Sequence, residues 1–156
     1  MLILLFVLCT CKMYSQVFFD AVDHKPIFEL SQKNGKINVK YYLSTDTLES
    51  IDHYIDFNGG VQALNRYCDS LYYASFTEET YKEVNLWESY CILFDNKLRI
   101  RDVRVIDKPP AYTRIRPYSL FYDTLIKRII YSTEGRWSKK KRNNHWSFYI
   151  GLFHLK

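Results

Sequence analysis

The hydrophobic pattern of this chain switches between a helical and a strand-like period in a fixed order, and that order limits the fold more than any other feature. Val61, Leu64, Tyr67, Cys68 and Leu71 recur at steps of three and four, one face of a helix. Leu86 to Phe94 and Arg99 to Ile106 then alternate at a step of two, rich in aromatic and β-branched residues, with Asp95-Asn96-Lys97 as the turn between them. Leu120, Phe121, Leu125, Ile126, Ile129 and Ile130 return to the helical step, with Ser119 placed to cap the helix and Gly135 placed to end it. Trp146 to Leu155 is a last β-prone run without proline. Helix, strand, strand, helix, strand predicts an α+β fold: a small antiparallel sheet packed by two helices.

An additional β-hairpin is expected ahead of this unit. Ile27 to Ser31 and Ile37 to Tyr41 are short β-prone runs, and Asn34-Gly35 between them supplies the positive φ angles of a tight turn. Their alternation leaves one apolar face to pack on the main unit. The boundaries that follow are 1–15 for a secretion signal, 16–50 for the hairpin extension and 51–156 for the main domain. Phe76 to Val84 reads as a charged link, and Lys108-Pro109-Pro110 opens a loop that runs to Pro117.

The 156 residues are 47% hydrophobic and 17% aromatic, enough for an ordinary core and far from the composition of a disordered chain. The apolar run from Met1 to Cys11 has the length of a secretory leader and is well short of the ~20 residues of a spanning helix. Export is therefore expected, with cleavage between Ser15 and Gln16; a buried N-terminal strand is the alternative. Of four cysteines, Cys9 and Cys11 fall in the leader, where Cys11 is a weak lipid-attachment candidate. Cys68 and Cys91 remain, either paired in an oxidising compartment or buried as two separate thiols.

Charge is unevenly spread. Residues 96–156 hold fifteen Lys and Arg against four Asp and Glu, whereas residues 1–95 hold seven against thirteen. Such a basic portion favours acidic partners or anionic head groups, and export argues against nucleic acid. The run Ser138-Lys139-Lys140-Lys141-Arg142, between Trp137 and Trp146, reads as a solvated loop or as an electrostatic landing site. The strand face of Arg99, Arg101 and Arg104 is equally ambiguous, because like charges on one face repel unless something negative compensates.

Catalytic patterns are weak. His24, His53, His145 and His154 lie far apart without metal-ligand spacing, and the chain has no phosphate loop, nucleophile elbow or HExxH. Asp20, Asp52 and Asp56 read as solvated surface carboxylates. A non-enzymatic protein without cofactor or metal is expected. A small secreted enzyme, an enzyme inhibitor using the basic loop and a structural envelope lipoprotein are the alternatives.

The ordered elements, with Phe57-Asn58-Gly59-Gly60, Ala63-Leu64 and Tyr67 at the first helix, Ile92 to Asp95 and Ile100 to Ile106 as a hairpin, and Trp137 after the second helix, resemble the C-terminal domain of TonB-like proteins. The resemblance spans about residues 54–155. It implies a periplasmic module whose terminal strand lies at an accessible sheet edge and receives an extended segment of an envelope protein, such as a TonB-dependent transporter. On this chain the partner-binding residues would be Trp146, Phe148, Tyr149, Ile150 and Leu152, with Lys139, Lys140, Lys141 and Arg142 beside them. Full transducers of that family carry a spanning anchor and a long linker, so this chain is expected to act as a standalone accessory or as a diverged relative that has lost transduction. Membrane association is expected only with lipidation, and pairing of two copies along the same edge is the alternative use of the strand.

Overall fold

The alternation expected of Leu86 to Phe94 breaks down in its second half, where Tyr90 to Phe94 are five apolar residues in a row that do not suit a sheet with one solvated face. The computed structural model describes residues 15–33, 36–42, 55–76, 86–107, 119–140 and 144–155, and it buries this run on both sides. In chain order the elements are β1 (Ser15–Phe19), β2 (Pro26–Lys33), β3 (Lys36–Tyr41), β4 (Ile55–Phe57), α1 (Gly60–Tyr73), β5 (Leu86–Phe94), β6 (Ile100–Val105), α2 (Leu120–Tyr131), β7 (Trp137–Lys139) and β8 (Ser147–Leu155). The central sheet is antiparallel in the order β6-β5-β8. Tyr90, Ile92 and Phe94 point to the face covered by α1 and α2, where they join Leu64, Cys68, Ile126 and Ile130. Cys91 and Leu93 point to the opposite face and meet Ile27, Phe28, Val39 and Tyr41 of the β1-β2-β3 sheet.

The α+β class expected from the order of elements is the class observed: two helices and eight strands in small antiparallel sheets among the described residues. Three strands carry no usable sequence signal. β1 turns the expected hairpin into a three-stranded sheet, pairing Ser15 to Phe19 with β2 and stacking Phe18 on Phe28 at 4.5 Å between centroids. β4 and β7 pair as a ribbon of three residues each, too short to display a period. The Asn34-Gly35 turn, the leader up to Tyr14, and the links at 43–54, 77–85 and 108–118 lie outside the described residues.

Local chemistry explains most of the ends. Gly59 caps α1 in the left-handed region at φ 91°, and a Cβ there would stand 2.9 Å from that of Ala63. Ser119 caps α2 as expected, its Oγ accepting from the Tyr122 N–H at 3.4 Å. Asp95 organises the β5–β6 turn, its carboxylate accepting from the N–H groups of Lys97 and Arg99 at 2.9 and 3.0 Å. The helical stripes differ from expectation at their first turns: Val61, Leu120 and Phe121 are 60%, 68% and 59% exposed. The buried rows are Leu64, Cys68 and Tyr72 on α1 and Leu125, Ile126, Ile129 and Ile130 on α2. Helix α2 ends at Tyr131, four residues before Gly135.

Candidate partner-binding edge

Strand pairing fixes which main-chain groups are available on each side of the central sheet. The Ile106 N–H donates to the Ser89 carbonyl at 2.8 Å, so residues 89, 91 and 93 of β5 direct their polar groups to β6. Residues 90, 92 and 94 therefore face β8, in register with Gly151, Tyr149 and Ser147. By the same alternation Phe148, Ile150, Leu152 and His154 direct their N–H and C=O groups outward, away from β5. Among the described residues β8 has β5 as its one hydrogen-bonded neighbour. The β4–β7 ribbon sits beside the start of β8, where Trp137 meets Tyr149 at 4.9 Å between centroids, which leaves Ile150 to His154 as the stretch unflanked by another strand among the described residues.

Side chains sort by the same parity. Ile150 and Leu152 are each 44% exposed, and Trp87, on the same sheet face, is 56% exposed with its ring 4.8 Å from that of His154. This part of the face extends past the β1-β2-β3 sheet. The other residues expected to bind a partner serve the fold in the structure. Phe148 is 2% exposed and packs edge to face on Phe28 at 4.7 Å; Trp146 is half-buried beside it, and Tyr149 is half-buried against Trp137. Trp137 is buried, its indole N–H donating to Thr133 Oγ1 at 2.9 Å. Gly151 is required where it stands, because the Tyr90 ring lies across the β8 backbone and a Cβ would come within 2.3 Å of its Cζ.

Part of the charge asymmetry of the sequence is resolved by ion pairs inside the fold. Asp95 pairs with Arg99 at 2.8 Å and with Arg101 at 2.7 Å. Burial pushes the Asp95 carboxyl up, but hydrogen bonds from Arg99, Lys97 and Arg101 outweigh it and hold the group below the usual carboxylate range. Arg104 bonds Asp102 at 3.0 Å and reaches the buried Asp20 at 3.5 Å. Tyr41 donates to the other side of this group, at 2.6 Å from Asp102, and burial followed by the Asp102 charge pushes its hydroxyl far up. Lys140 pairs with Asp56 at 2.9 Å, and Lys139 donates to the His145 carbonyl at 2.5 Å. Acidic groups from the first 95 residues thus compensate the arginine face and part of the basic run. Lys141 and Arg142 lie outside the described residues.

Cys68 and Cys91 are free thiols on opposite faces of the sheet, which separates them. Burial pushes Cys68 up to about 12, and Cys91 further, so neither has the thiolate character of a nucleophile. A recess of about 10 Å³ lies between α1 and the end of β8, bordered by Asn65, Cys68, Asp69, Phe153 and His154. It holds about one water molecule, whereas small-molecule sites occupy roughly 300–1,000 Å³. No group of three potential metal ligands occurs among the described residues, and no described helix is long and apolar enough to cross a membrane. No protein-family model, curated protein or solved structure matches this chain.

Proposed function

We propose that this chain is a non-enzymatic protein-binding module that takes an extended segment of another protein as an added strand on β8. One observation carries the reading: from Ile150 to His154, outward main-chain donors and acceptors coincide with exposed apolar side chains at the end of a sheet. The residue order that resembles TonB C-terminal domains supports an envelope setting. In this reading the protein is exported to the periplasm or secreted, is anchored only if lipidated, and serves as an accessory to TonB-dependent transport across the outer membrane. Its partner is an extended segment of a transporter or another envelope protein.

The test is amide NMR with a panel of extended peptides drawn from envelope transporters. Binding should perturb and protect the amides of Ile150, Leu152 and His154 while leaving those of Tyr149 and Phe153, already turned to β5, nearly unchanged. A Leu152→Pro variant that remains folded by circular dichroism yet keeps full affinity would exclude this edge. Neutralising Lys139, Lys140 and Lys141 should change association rate and salt dependence more than the final affinity.

A further inference from the structure

The chemistry flanking the β8 edge restricts what kind of strand it takes. This inference rests on the strand-addition reading above. A strand added outside β8 alternates its side chains between the two faces of the central sheet. On one face they meet Ile150, Leu152 and Trp87, all exposed and apolar. On the other, residues placed opposite Gly151 and Phe153 project under α1, at the recess bordered by Asn65 and Asp69.

Asp69 stands apart from the other carboxylates near the sheet. Asp20, Asp56, Asp95 and Asp102 each have a cationic partner within 3.5 Å. Asp69 is half-buried and has no hydrogen bond or ion pair among the described residues. Burial pushes its carboxyl up, and His154, which borders the same recess, acts in the opposite sense. A partly desolvated acid beside unpaired strand donors gains from an incoming cation that replaces lost water.

We propose that the β8 edge selects an extended segment in which apolar residues alternate with lysine or arginine, the apolar set resting on Ile150, Leu152 and Trp87 and a basic residue reaching Asp69. Local complementarity here runs against the basic charge of the whole chain, so the preference is a short-range one and persists at salt concentrations that screen the surface.

The test compares three synthetic hexapeptides, alternating Val-Lys, Val-Ser and Val-Glu, titrated onto the full chain and onto folded Asp69→Asn and Asp69→Lys variants. Val-Lys should bind the unmodified chain about tenfold more tightly than Val-Ser at physiological salt. Asp69→Asn should remove that preference, and Asp69→Lys should turn it toward Val-Glu. Equal binding of Val-Ser and Val-Lys, abolished by Leu152→Pro, would overturn the charge selection and leave strand addition standing. Binding of none of the three, nor of the transporter panel, would remove both. Self-association lost in Leu152→Pro, seen by analytical ultracentrifugation, would make a second copy the occupant and overturn the proposal.

Discussion

The two outer edges of the central sheet have opposite fates. On the β6 side, the Ala21 N–H donates to the Val105 carbonyl at 2.9 Å and the Asp107 N–H to the Phe19 carbonyl at 2.7 Å, with Asp20 bridging to Ile106. The segment after β1 thus occupies the last outward groups of β6, and the Asp20–Arg104–Asp102–Tyr41 network fixes it there. On the β8 side, the stretch from Ile150 to His154 has no such cover among the described residues. An uncovered edge is a pairing hazard that folds usually blunt. That one edge is sealed by hydrogen bonds and ion pairs while the other carries exposed Ile150, Leu152 and Trp87 is the reason to look for function at β8.

The largest test of this contrast strikes the geometry that keeps β8 beside β5. Gly151→Val places carbon atoms inside the buried Tyr90 ring, and the chain should lose about 3 kcal/mol or more, read from the denaturant midpoint. A small effect would show that Tyr90 moves aside without loss, so that the close approach does not define the edge. Next, Arg104→Met leaves Asp20, 1% exposed, without its cation. With Arg104 itself partly exposed, the expected loss is about 2 kcal/mol, together with faster hydrogen exchange at Ala21 and Asp107 as the β6 edge opens. Unchanged exchange at those two amides would separate the network from the seal.

Leu152→Pro should cost only about 1 kcal/mol, because it removes a donor that points away from β5, and yet it should abolish strand addition. The same exchange of residue at Tyr149 should be far more damaging, since that N–H faces β5. If the two substitutions destabilise equally, the assignment of outward groups is reversed. The smallest effect is that of acid on the β5–β6 turn. Asp95 is held below the usual carboxylate range, so its contribution is complete above the unfolded value near 4 and is lost as pH falls through the lower native value. Asp95→Asn should flatten that part of the stability profile below about pH 4, measured by thermal melts across pH, and leave the rest unchanged.

Much of the main unit was legible in the chain because its elements are long enough to show a period. β5 coincides with the expected Leu86 to Phe94, and Ser119 caps α2 at the expected residue. β4 and β7 were not legible, since three residues carry no period and their pairing joins positions about eighty apart. The candidate edge was legible in part. Its β-propensity is written in the run to Leu155, but which residues face out depends on register. Phe148 and Ile150 lie on the same face of one strand, yet one is buried under Phe28 and the other is not. Asp69 gave no signal, being one acidic residue on an ordinary helix.

By itself the sequence determined the periods, the caps and the turn: apolar residues spaced at 3.6 or 2 dictate helix or strand wherever the run is long, and Gly59, Ser119 and Asp95 act on groups a few residues away. The five consecutive apolar residues of β5 demand cover on both faces, where alternation and a single apolar face were expected. Only the tertiary structure decided what covers each face, which thiol lies on which side, how acids of the first part pair with arginines of the last, and which sheet edge stays open among the described residues. Those outcomes depend on contacts between residues far apart in the chain, and local pattern carries no record of which distant partner will arrive.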